Sequence, residues 1–174
     1  MRHSMDKSDA RALRSVAAAP VFVSAGVHLW WGLPRFLVYA NPQTLAFYIE
    51  SGGIPDPRPF LFVGLVLAVV VGTVAAWRGL IEFRTAYALG IVLMAGSIGG
   101  WVLWHTVLNH GVALTAADPA AAAAATEEHH QGVLSTVIEH AIVIPLEGGT
   151  KVAELAAVVV LAVLLWADPR ATSG

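Results

Sequence analysis

"PFLFVGLVLAVVVGTVAAWRGLIEFR", residues Pro59–Arg84, carries no charge from Phe60 to Trp77, then turns through a short basic segment towards a second apolar run. A helix crossing the roughly 30 Å hydrocarbon core needs about 20 predominantly apolar residues. Two such runs joined by a tight charged connection form an antiparallel pair of membrane helices, with "RGLIEFR" as a cytoplasmic turn.

Outward from this pair the same pattern recurs. Apolar runs lie within Leu13–Tyr39, Phe60–Trp77, Ala86–Leu108 and Lys151–Ala167. Of the 174 residues, 57% are hydrophobic and 13% charged, and the mean hydropathy is +0.69. These figures exclude an ordinary soluble domain. They predict an all-α integral membrane four-helix bundle, a single four-span domain over residues 1–174, with short extra helices in its two outer connections.

Basic residues set the orientation. Arg2, Lys7, Arg11, Arg14, Arg78, Arg84 and Arg170 fall on one side, against Arg35, Arg58 and Lys151 on the other. The positive-inside rule places both termini in the cytoplasm of a multi-pass cell-membrane protein. The basic opening "MRHSMDKSDARALR" leads into an apolar stretch longer than the roughly 7–15 residues of a signal-peptide core, so that stretch is taken as the first span.

In the first outer connection, Asn41 caps, Pro42 suits the first helical position, and Gly52–Gly53 stops the helix. In the second, "DPAAAAAATEEHHQG" repeats the grammar with Asp118, Pro119 and Gly132. A continuous helix from Val133 onwards would overrun the bilayer. Val133–Ile144 is therefore expected to be a separate outer or re-entrant helix, with the break at Pro145–Thr150. The order of span, short helix, Gly-Gly break and span appears in both halves, as in "SAGVHLWW" and "SIGGWVLWH".

Six of the seven histidines, His28, His105, His110, His129, His130 and His140, fall on the outer half, and only His3 falls inside. His105 and His110 sit near Trp101 and Trp104, where an amphipathic ring is comfortable at the interface. His129 and His130 follow Glu127 and Glu128 in a polar run. His28 stands apart, because an ionisable group inside a span is expensive and faces a partner or a cavity. Ser24, His28, Trp31, Gly32 and Arg35 recur at three- and four-residue steps and share one helix face. Glu147, Lys151 and Glu154 form a second such stripe, with Glu154 a turn deeper.

Without cysteine, any metal relies on nitrogen and oxygen ligands. The expected site is a histidine-centred haem b or copper centre for electron transfer. His28, His105 and His140 are its ligands, supported by His110 or His130 and by Glu147, with Arg35 pairing a haem propionate. A quinone or a redox protein is the expected partner, besides the lipid bilayer. No nucleic-acid partner is expected, and no enzyme class is assigned: phosphate loop, H-E-x-x-H and G-x-S-x-G are all missing from the sequence.

Two alternatives accompany this reading. The glycines of "GLVLAVVVG" (64–72) and "GSIGG" (96–100) allow close helix contact, which suits a structural or assembly subunit in a homo-oligomer or larger complex. A relay through Glu154, Lys151 and Glu147 suits a proton or metal-ion conduit. The cytoplasmic halves of the spans, nearly devoid of ionisable groups, weigh against a path right across.

Overall fold

The computed structural model describes residues 5–52, 55–108 and 133–172. The described elements are helices: α1 (Lys7–Tyr39), α2 (Pro42–Glu50), α3 (Arg58–Trp77), α4 (Phe83–His105), α5 (Val133–Val143), α6 (Pro145–Ala167) and α7 (Pro169–Thr172). Four of them, α1, α3, α4 and α6, are long and apolar enough to cross a membrane. The chain is a multi-pass, all-α membrane bundle. The four described spans alternate in direction, so that Met5 and Ala167 meet at one end, the terminal end, while α2 and α5 lie at the other, the loop end.

Local chemistry explains the element boundaries. The α3–α4 turn uses Gly79 at φ 71°, a left-handed conformation that glycine adopts without steric cost. Asn41 caps α2 by accepting a hydrogen bond from the Gln43 backbone N–H at 2.9 Å, and Pro42 opens the helix. The first span reaches back to Lys7, and its 33 residues rise about 50 Å, more than the bilayer core requires.

The fourth span corrects the expectation from sequence. It starts at Pro145, six residues before Lys151, and the break falls at Ile144 (φ −113°, ψ 85°). Proline here opens a helix instead of ending one, because the missing N–H is unneeded at the first position. Gly148 and Gly149 lie inside α6. Gly148 lets α5 fold back closely, since a Cβ there would overlap the Ala141 carbonyl oxygen. The helix expected over the alanine run lies outside the described residues.

α1 packs along both α3 and α6, and α4 packs along α6. Glycine permits close approaches between the spans: a Cβ on Gly32 would come within 2.8 Å of the Phe62 Cβ, and one on Gly90 within 2.9 Å of Leu161. Ala25, Leu65, Val66, Val69, Met94 and Ala157 form one buried cluster, and Ala17, Tyr87, Leu161, Leu164 and Ala171 a second. At the terminal end Asp168 joins three elements. It accepts hydrogen bonds from Arg14 Nε at 2.9 Å, from Tyr87 OH at 2.6 Å and from the Arg170 backbone N–H at 2.9 Å.

α3 and α4, neighbours in sequence, scarcely touch. Between them runs a cleft of about 1300 Å³. Glycines of both helices line it: Gly64, Gly72, Gly96 and Gly100 have nothing within 4 Å of where a Cβ would stand. Small side chains on the facing sides of two separated helices leave space, and the space is mostly apolar.

Candidate functional site

Halfway along α6, one wall of the cleft turns polar. Glu154 lies nine residues in from Pro145, about 14 Å along the helix, and is fully buried. Three donors converge on its carboxylate. Ser24 Oγ from α1 and Ser97 Oγ from α4 each donate to Oε1 at 2.8 Å, and Lys151 Nζ donates to Oε2 at 2.7 Å. Lys151 Nζ also donates to Ser97 Oγ at 3.1 Å. One turn of α6 sets the Lys151–Glu154 pair, while the two serines require α1 and α4 to pack on α6 at the same depth.

His28 completes the group. Its Nδ1 lies 2.8 Å from the Ser24 carbonyl oxygen, and because a carbonyl only accepts, Nδ1 carries the proton. Nε2 is then turned towards Ser97 Oγ at 3.5 Å and Glu154 Oε1 at 3.7 Å. The edge-on Phe62 ring, 4.5 Å away, fixes the imidazole plane. His28, Ser97 and Lys151 line the cleft, with Glu154 behind them.

An unpaired buried charge costs several kcal/mol, and a paired one roughly breaks even against apolar side chains of the same shape. Packing alone therefore gives no reason to keep Glu154 and Lys151 here. Such groups at this depth make this the candidate functional site.

A second cluster repeats the local geometry nearer the loop end. His105 Nδ1 lies 2.8 Å from the Trp101 carbonyl oxygen, and Nε2 lies 3.7 Å from Glu147 Oε2. Trp101 Nε1 donates to the same carboxylate oxygen at 3.2 Å. Each imidazole is thus tied to its own helix by one nitrogen and faces a carboxylate of α6 with the other. The pairs are separate: Glu147 and Glu154 are seven residues apart, about 10.5 Å along the helix. Glu147 is the wetter of the two carboxylates, its side chain 37% exposed.

The remaining residues expected at a site fall elsewhere. Arg35 is exposed, donates to the Trp31 carbonyl oxygen at 2.8 Å and stacks 4.0 Å over the Trp31 ring. Of the polar face of α1, Ser24, His28 and Gly32 are buried and Trp31 is half-buried. His140 belongs to α5, but its side chain lies outside what is described, as do His110, His129 and His130 entirely. Among the described residues, no group of three or more histidine and carboxylate side chains is placed to hold a metal ion.

At the loop end of the cleft the arginine is Arg58. Its guanidinium lies 4.1 Å over the Trp104 ring and 5.0 Å over the Trp31 ring, and it is bonded to Asp56 at 2.7 Å. Sequence reasoning passed over Arg58, Ser97 and the Arg14–Tyr87–Asp168 group. A lone hydroxyl between glycines in an apolar span is the signal that marked Ser97. No protein-family model, curated protein or solved structure matches the chain.

Proposed function

We propose that the protein is an electron-transfer component of the cell membrane that binds a lipid-soluble quinone in the α3–α4 cleft and exchanges its protons with the His28–Ser97–Lys151–Glu154 group. The observation that carries this reading is a polar patch at mid-depth in a long, mostly apolar cleft. A quinone needs apolar room for its tail, donors for its ring oxygens, and a base beside them. Oxidation of its hydroquinone form releases two electrons and two protons. The electrons pass to a partner redox protein, and the protons to His28 Nε2 and the carboxylate behind it.

Glu147 and His105 extend the polar stripe of α6 towards the loop end, the outer end on the positive-inside rule. Towards the terminal end, Glu154 and Asp168 are fourteen residues apart, about 21 Å. Between them the described core residues are Met94, Ala157, Leu161 and Leu164. Proton exchange therefore proceeds on the outer side only, and a transmembrane conduit is not part of the reading.

A second reading, haem b or copper at His28 or His105, draws on one observation. Both imidazoles are anchored through Nδ1 to a carbonyl, as metal-ligating histidines are. One purification separates the readings: solvent extraction with mass spectrometry for quinone, an optical spectrum, and elemental analysis. A quinone near one per chain, with no Soret band and no copper, is the expected result. A Soret band or stoichiometric copper would replace it with the second reading. Protein free of all three that also fails to bind added quinone would leave the assembly-subunit reading, with a partner helix filling the cleft.

A further inference from the structure

We infer that the terminal-end half of the cleft binds one anionic phospholipid, its phosphate met by Arg11 and Arg170 and one acyl chain lying between α3 and α4. The inference is independent of the quinone reading, which uses the polar group at mid-depth and the loop-end half.

Charge points to the headgroup. Arg11, Arg14 and Arg170 all line the cleft. Arg14 is matched by Asp168, which accepts from its Nε at 2.9 Å and its Nη2 at 3.2 Å. Arg11 stands one turn from Arg14 on the same face of α1. Arg170 shares the Phe83 ring with Arg14, the two guanidiniums lying 5.3 Å and 5.0 Å from its centroid. It meets Asp168 through its backbone N–H, so its guanidinium remains available. Arg11 and Arg170 are both exposed, and among the described residues neither is ion-paired. Asp6, Asp9 and Glu82, the other described carboxylates at this end, do not line the cleft. Guanidinium groups take phosphate through paired hydrogen bonds, and basic groups where membrane helices part suit anionic headgroups.

Length points to the chain. Ala68, Gly72 and Ala76 of α3 and Ala86 and Leu89 of α4 line this half, and a Cβ on Gly72 would meet nothing within 4 Å. Leu89 lines the cleft while 57% exposed, so this half is a groove along the side of the bundle and not a closed cavity. Tyr87 is level with Arg14, since both bond Asp168. From Tyr87 to Ser97 at the polar group is ten residues of α4, about 15 Å. Half of the roughly 30 Å hydrocarbon core is the same length. An acyl chain anchored at the arginines therefore ends where the polar group begins.

The test uses full-length protein in phosphatidylcholine nanodiscs that contain chain-spin-labelled phosphatidylglycerol or phosphatidylcholine, with electron paramagnetic resonance reading the motionally restricted fraction. Wild type should restrict phosphatidylglycerol in preference to phosphatidylcholine. Arg11→Gln with Arg170→Gln should lower that preference about tenfold. Gly72→Leu keeps both charges but fills the groove, and should abolish the restricted signal. Both variants change exposed or open positions, so unfolding temperatures should stay near that of wild type. An excess of glycerol 3-phosphate, a headgroup without a chain, should displace nothing. No preference in wild type, or an undiminished one in the arginine variant, would overturn the inference. Wild-type restriction in Gly72→Leu would also overturn it, because the headgroup would then be drawn to the surface with no chain in the groove. Displacement by glycerol 3-phosphate would make this a site for free phosphate and overturn the lipid assignment. None of these outcomes bears on quinone binding, which the arginine variant should retain.

Discussion

Lys151 Nζ stands 2.7 Å from Glu154 Oε2, a cation and a carboxylate locked together one turn apart inside a membrane helix. Each makes the other tolerable, and the two serines complete the shell around the carboxylate.

Removing one partner is therefore worse than removing both. Lys151→Met leaves an uncompensated buried carboxylate and should destabilise the protein by about 3–5 kcal/mol. The double variant Lys151→Met with Glu154→Leu should unfold close to the wild-type temperature. Thermal unfolding followed by circular dichroism in detergent measures both, and equal losses in the single and double variants would contradict the pairing.

Asp168 predicts the acid limb of stability. Burial pushes its carboxyl up, yet hydrogen bonds from Arg14, Tyr87 and the Arg170 backbone outweigh that effect and hold its pKa below the ordinary 3.8. A carboxylate whose pKa is lower folded than unfolded contributes stability that is present above the unfolded value and lost as the pH falls through the folded one. Wild-type protein should thus lose stability below pH 3.8 more steeply than Asp168→Asn, as read from unfolding temperature against pH.

Close packing at Gly148 is specific to that glycine. Gly148→Ala drives a methyl into the Ala141 carbonyl and should cost about 1–3 kcal/mol, as overpacking does. Gly149→Ala, with nothing within 4 Å of the new methyl, should be nearly silent in the same unfolding assay.

The proposed orientation rests on the charge distribution. A reporter fused after Gly174 should be cytoplasmic, and an epitope placed in the alanine run 120–125 should be labelled from outside intact cells. Protection of that epitope would invert the topology and send the exchanged protons inwards.

The spans were legible in the sequence because uncharged apolar runs have few other uses, and His28 and Glu154 because ionisable groups inside such runs are expensive. The start of α6 was not, since proline ends a helix from within but opens one at its first position. Ser97 escaped notice because a single serine is ordinary in a membrane helix. Its role depends on α4 packing against α6, which no local pattern encodes. The glycines of α3 and α4 show the same limit: one pattern describes two helices in contact and two helices held apart around a cleft. Arg14 and Asp168 lie on separate elements, so neither helix's periodicity announces their pairing.

The central claim is that a quinone occupies the cleft, and filling the cleft tests it most directly. Gly96 faces open space there, with nothing within 4 Å of an added Cβ, so Gly96→Leu places an isobutyl group in the ligand's path without disturbing Glu154. Equilibrium binding of tritiated decylbenzoquinone should be saturable in wild-type nanodiscs and reduced to the linear uptake of empty discs in Gly96→Leu, with the unfolding temperature unchanged. Identical isotherms for the two proteins would contradict the account.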